Sequence, residues 1–192
     1  LQAGAWHGLP VSDDLNGAEP EGVGLYDITT RDGRRESAST AYLQPALGRP
    51  NLEVRIDALA RQIRFDGRRA TGVRFLQHGQ EHTVQARREV IVCAGAINSP
   101  QLLLLSGVGP GADLQALGIP VVADHPQVGR NLQDHLCIDH LYRARVPTLN
   151  TTLGSWHGKL GAGLQYLALR RGPLALSVNQ GGGFVRSRPG LA

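Results

Sequence analysis

Methionine is missing from this chain altogether, cysteine occurs twice in 192 residues, and aromatic side chains contribute only 5%. Each scarcity excludes something. Cys93 and Cys137 give neither a disulfide framework nor metal-ligand spacing. Both lie in apolar, strand-like contexts and read as buried reduced thiols, which fits a reducing compartment, the cytoplasm. With few aromatics, no zinc pattern and no recognition helix, nothing is present to read nucleic-acid bases. The formal charge of +4 comes from arginines scattered singly and in pairs, without a basic block. No run approaches the ~18 apolar residues of a membrane-spanning helix, and the first residues lack the basic start and cleavage pattern of a secretory leader. Neither a Gly-x-Ser-x-Gly nucleophile turn nor a Gly-x-Gly-x-x-Gly pyrophosphate turn occurs, because Gly181-Gly182-Gly183 leads into strand-like residues. His78 and His82 have helical metal spacing, but Gly79 and the surrounding alternation make that stretch a strand, and no metal is expected.

What is plentiful is glycine, 25 of 192 residues, and tight turns follow from it. The chain is organised around Arg87 to Gly109. Val90 to Val92 is a β-branched run that reads as a strand buried on both faces. Ala94, Gly95 and Ala96 then let the backbone turn sharply and permit close approach by another group. Asn98 and Ser99 suit a helix N-cap, Pro100 the first turn, and Gln101 to Ser106 a buried apolar helix that Gly107 stops.

Before this unit, Leu1 to Gly22 is rich in turn formers. Gly24 to Thr30 reads as a strand, Asp32-Gly33 as a hairpin turn, and Ser37 to Leu43 as a short helix limited by Pro45. From Leu52 the pattern becomes a β-meander: Leu52 to Ile56, Leu59 to Phe65, a turn at Asp66-Gly67, Val73 to Leu76, and His82 to Val84. After the central unit come a short helix, Ala112 to Leu117, ended by Gly118, and a short strand, Val121 to Ala123. The loop Val128 to His135 concentrates polar side chains, as functional loops do. Leu136 to Val146 alternates like a strand. Leu160, Leu164 and Leu167 share a helical face, with Gly172-Pro173 as the stop. Ser177 to Arg186 joins a polar pair to three glycines and a strand.

Three of these stretches resemble one family. Gly95 to Gly109, Leu117 to Val122 and Val128 to His135, with Gly33-Arg34-Arg35 and Arg49 to Leu52 upstream, are similar to the glucose–methanol–choline (GMC) family of flavin-dependent oxidoreductases. The resemblance implies a mixed α/β fold: part of an FAD-binding Rossmann-like domain with an inserted antiparallel β-meander, plus part of a substrate-binding domain. It assigns 1–43 and 135–192 to the substrate domain and 44–134 to the FAD domain. Members of the family are several hundred residues long, and a chain that opens on Leu1 reads as a central fragment of one.

The same resemblance implies FAD as cofactor, a small alcohol as substrate, an electron acceptor it leaves open, and hydride transfer that yields an aldehyde or ketone. Ala60 would hold the adenine through its backbone. Ala94 and Gly95 would lie along the cofactor, and Asn131, Asp134 and His135 would belong to a loop covering the flavin. Asn179, Gln180 and Phe184 would face the substrate. The catalytic His is expected downstream of Ala192, so no catalytic residue is assigned within the chain. In the choline-oxidising branch a glutamate stands near the position of Gln180. Here Gln180 and Gly181 to Gly183 supply no charge, which favours an uncharged alcohol. The alternative is a non-catalytic binding module built on the same scaffold.

Overall fold

The structure is a computed structural model that describes residues 1–177 and 179–188. Val178, inside the expected segment Ser177 to Arg186, lies outside the described residues. The chain divides into two compact units, one made of Leu1–Leu52 with Leu141–Ala192 and the other of Glu53–His140. In chain order the elements are α1 (Gln2–Trp6), β1 (Gly22–Leu25), β2 (Thr30–Arg31), β3 (Arg34–Arg35), α2 (Gln44–Ala46), β4 (Ala58–Asp66), β5 (Arg69–Gln77) and β6 (Gln80–Gln85). There follow α3 (Gly95–Leu105), β7 (Val108–Gly109), α4 (Gly111–Ala116), β8 (Ala123–Asp124), α5 (Leu149–Gly154), α6 (Trp156–Leu169) and β9 (Gly181–Phe184). Among the described residues no helix is long and apolar enough to cross a membrane.

The inner unit is built on the antiparallel meander β4-β5-β6, as the alternation predicts. Its hairpins follow from turn chemistry. His78 and Gly79 both adopt positive φ, 51° and 79°, as a two-residue turn matched to strand twist requires. The β4–β5 turn falls at Gly67-Arg68, one residue later than expected, because Asp66 pairs with Arg69. Ile63 and Phe75 turn inward and are buried. Phe75 stacks on His82, its partner across β6.

Helix α3 packs against β4 through a polar tie. The buried Ser106 hydroxyl accepts a hydrogen bond from the Ile63 backbone N–H (2.8 Å) and donates one to the Leu102 carbonyl (2.6 Å). It thereby satisfies a strand donor and a C-terminal helix carbonyl together. Leu114 of α4, 1% exposed, is the large side chain most completely enclosed. β7 and β8 form a short parallel pair.

The outer unit pairs β1 with β9 across most of the sequence, Gly22 opposite Phe184 and Leu25 opposite Gly181. The β2–β3 hairpin turns at Asp32-Gly33, φ 51° and 69°, as expected. Helix α6 starts at Ser155, whose hydroxyl accepts the Gly158 N–H at 3.1 Å, and ends at Arg170 in the left-handed region, φ 53°.

Several expectations need correction. Val90 to Val92 forms no strand, and Ile91 is 75% exposed. A parallel strand needs neighbours to take its N–H and C=O groups, and the described residues provide none there. Leu136 to Val146 likewise forms no strand and is exposed, and Leu52 to Ile56 leads into β4 outside its ladder. Cys93 and Cys137 are exposed free thiols, not buried ones, because the strands expected to carry them inward are unpaired. Helix α3 begins at Gly95, earlier than the capping residues implied, so Pro100 lies inside it and none of its residues is fully buried. Gly24 to Thr30 splits into β1 and the start of β2. Ser39–Leu43 is a π-helical turn that continues directly into α2, so Pro45 lies within the helical stretch instead of limiting it. The glycines 181–183 are themselves strand β9 rather than a lead-in to one.

Candidate functional site

The turn into α3 is the sharpest junction of the inner unit. Gly95 has φ 84°, which an L side chain rarely adopts. A side chain built there would meet nothing within 4 Å, so the backbone faces open space. Ser99 does not cap in the forward sense. Its hydroxyl reaches back one turn to accept the Ala94 N–H at 2.9 Å, which fixes the turn, and no side chain caps the helix start. With 11 residues, α3 presents the positive end of its dipole at this point.

Beside the first two turns of α3 lies a cavity of about 550 Å³. Ala96, Ile97, Pro100 and Leu104 form one wall and the loop Gly129 to Gln133 forms the other. Gly129 and Asn131 both take positive φ, 80° and 58°, so the loop curls back over the helix. Asn131 Nδ2 donates to the Gln127 side chain at 3.2 Å, bracing that curl. Gln101, Arg130, Asn131 and Gln133 line the cavity together with the aliphatic wall. A flat, largely apolar group with polar edges suits such a mixture.

Of the residues expected at the cofactor, Asn131 lines this cavity, and Ala94 and Gly95 form the turn that leads into it. Asp134 and His135 do not line it. Both are exposed, and Asp134 Oδ1 accepts the backbone N–H of His135 at 2.8 Å, so the carboxylate is engaged with main chain rather than with the imidazole. Ala60 lies on β4, opposite Phe75, where the register slips between Ala60 and Gln62. A bulge of this kind interrupts the ladder and is frequent beside functional sites. Gln101, Arg130 and Gln133 were missed by sequence reasoning. Helical spacing from Ile97 to Gln101 was the signal that could have found the first.

On the substrate side, Phe184 lines a second cavity of about 820 Å³, together with Pro10, Val11, Glu19, Glu21 and Arg186. Arg186 is ion-paired with Glu21. Asn179 and Gln180 are exposed and lie outside that cavity. The Gln180 carbonyl accepts the Tyr26 N–H at 3.1 Å, extending the β1–β9 ladder by one rung.

Comparison with known proteins gives these features a context. The chain is 45% identical over its whole length to human mitochondrial choline dehydrogenase. It is 47% identical over 98% of its length to an oxygen-dependent choline dehydrogenase of Burkholderia ambifaria. It spans about a third of each, 32% and 33%. Among solved structures, an FAD-dependent oxidoreductase from Chaetomium thermophilum superposes with a TM-score of 0.84 at 29% identity, over 94% of this chain and 32% of that one. The family model described as GMC oxidoreductase matches residues 1–137, across both the meander and the α3 turn, and the chain belongs to the GMC oxidoreductase family.

Proposed function

We propose that these residues form the central third of an FAD-dependent oxidoreductase acting on the CH–OH group of an alcohol. The observation that carries the proposal is the cavity between α3 and the 129–133 loop, opening beside a glycine whose missing side chain leaves room for a ligand. It occurs in a chain that resembles choline dehydrogenases from end to end.

The residues fit one edge of the cofactor. Open space over Gly95, an uncapped start of α3, an aliphatic wall and the polar lining residues Gln101, Asn131 and Gln133 suit a flat ring system with polar edges and an anionic tail. The pyrophosphate turn is not among these residues, so they supply one side of the site. Ala60 would hold the adenine by its backbone, Ala94 and Gly95 would run along the cofactor, and Asn131, Asp134 and His135 would belong to its cover. Bound FAD supplies the acceptor for a hydride from the carbinol carbon. This chain's part is to bind, orient and exclude water, and the proton-abstracting base is assigned to sequence beyond Ala192. Segments 1–43 and 135–192 would serve the substrate domain and 44–134 the cofactor domain. The exposed free thiols Cys93 and Cys137 persist best in a reducing compartment, and a cytoplasmic location belongs to the proposal.

For the substrate we propose an uncharged alcohol. A carboxylate attracts a quaternary ammonium, and Gln180 and Gly181 to Gly183 supply no charge in its place. The test uses the complete protein with choline and its neutral isostere, 3,3-dimethylbutan-1-ol. The expected result is a kcat/KM at least about tenfold higher for the neutral alcohol, with Gln180→Glu narrowing the gap. The opposite order would overturn the neutral substrate. Bound flavin with turnover of no alcohol would instead favour the non-catalytic module.

A further inference from the structure

Helix α6 is turned the opposite way from an ordinary surface helix, whose large apolar side chains face inward. Its inward side carries small residues: Ala162 is buried, and a side chain added at Gly158 would overlap the Thr152 carbonyl of α5. Its outward side carries large apolar ones. Trp156, Leu160, Leu164 and Leu167 recur at helical spacing and form one ridge, and they are 54–75% exposed. The ridge is preformed, since Ser155 caps the start of the helix and the left-handed Arg170 ends it. The charge around it is nearly of one sign. From His140 to Ala192 the sequence holds no aspartate or glutamate, while Arg143, Arg145, Lys159, Arg170 and Arg171 stand in and beside α5 and α6. All of these but Arg170 are exposed, and Arg170 lies over the Tyr166 ring at 4.9 Å. Carboxylates reach α6 only from the first segment of its unit. Asp27 and Glu36 line a cavity with the half-buried Tyr166, Glu36 is ion-paired with Arg31, and Asp32 lies beside Arg170 and Arg171 at the end of the helix.

We propose that α6 is a membrane-contact helix, which lays Trp156, Leu160, Leu164 and Leu167 into the interface of a bilayer containing anionic phospholipid while Lys159 and Arg171 meet the headgroups. Tryptophan, and lysine or arginine with an extended stem, are the side chains favoured at headgroup level. A single convex ridge suits a fluid apolar medium that conforms to it, whereas a protein partner would have to supply a matched groove. Packing of the ridge inside the complete protein would draw Lys159 toward apolar surroundings, and residues 140–192 hold no carboxylate to pair with it. At 14 residues, α6 is suited to lie along a surface and is too short to cross one. The assignment is independent of the alcohol reading.

The test sediments the complete protein with vesicles of phosphatidylcholine alone and of phosphatidylcholine mixed with phosphatidylglycerol. The expected result is binding to the mixed vesicles at least about tenfold tighter than to phosphatidylcholine alone, a preference that about 1 M salt removes. Leu160→Gln combined with Leu164→Gln should weaken binding to the mixed vesicles at least about tenfold. Lys159→Gln combined with Arg171→Gln should remove most of the preference for the anionic lipid. Both variants should keep the circular dichroism of the wild type, because the side chains they change face outward. Binding of the leucine variant within about twofold of wild type would overturn the proposal by placing the membrane contact elsewhere. A wild type that binds neither vesicle, or binds both equally, would overturn it outright. Loss of fold in the leucine variant would overturn it too, by showing the ridge packed within the protein, and a dimer that this variant splits without vesicle binding would show a second copy seated on it.

Discussion

The meander β4-β5-β6 and the stretch from Leu136 to Val146 have similar sequence patterns and opposite fates. Both alternate apolar and polar residues. The meander is paired along its length apart from its register shifts and buries Ile63 and Phe75, whereas Leu136 and Leu141 in the other stretch are 93% and 97% exposed. The difference lies in where each finds its partners. Each meander strand meets the next through a two-residue turn containing glycine, so pairing is local and loop closure costs little. Leu136 to Val146 carries no such turn. Its alternation is a claim on strand partners elsewhere, and among the described residues no strand pairs with it.

Four predictions act on that contrast. The largest concerns local opening. In the 192-residue chain, limited proteolysis should cut within 136–146 at least about a hundredfold faster than within 58–85, since an exposed segment outside any ladder opens at little cost. Equal rates would erase the contrast. Next, Phe75→Ala should destabilise the complete protein by about 3–5 kcal/mol in chemical denaturation, the usual cost of emptying a buried aromatic site. Ser106→Ala should cost about 1–3 kcal/mol by leaving the Ile63 N–H buried without an acceptor. A change below the error of the melt would show that the helix–sheet tie is dispensable. The smallest effect sharpens the turn argument: His78→Asn should stabilise by a few tenths up to about 1 kcal/mol, because asparagine tolerates the left-handed region better than histidine.

What the sequence made legible was local. The Asp32-Gly33 turn, the meander and the helix that follows Ala94 were all readable from residues close in the chain. What it concealed was non-local. Ser106 looked like a helix-end residue, and its bond to Ile63, 43 positions away, leaves no trace in spacing. The cysteines were misread with the strands that were to bury them. Ser99 was placed in the right turn with the wrong geometry, since capping propensity identifies the residue type and not which amide it serves.

The most direct test of the account is flavin content. Gly95→Leu would strain a residue at φ 84° and push a side chain into the space where the cofactor edge is proposed to run, a backbone cost of roughly 1–2 kcal/mol that a domain can survive. The complete protein should purify with stoichiometric FAD. The Gly95→Leu variant, folded by circular dichroism, should retain less than about a tenth of it. Full flavin occupancy in that folded variant would contradict the assignment of Ala94 and Gly95 to the cofactor, and with it the reading of the α3 cavity as part of the FAD site.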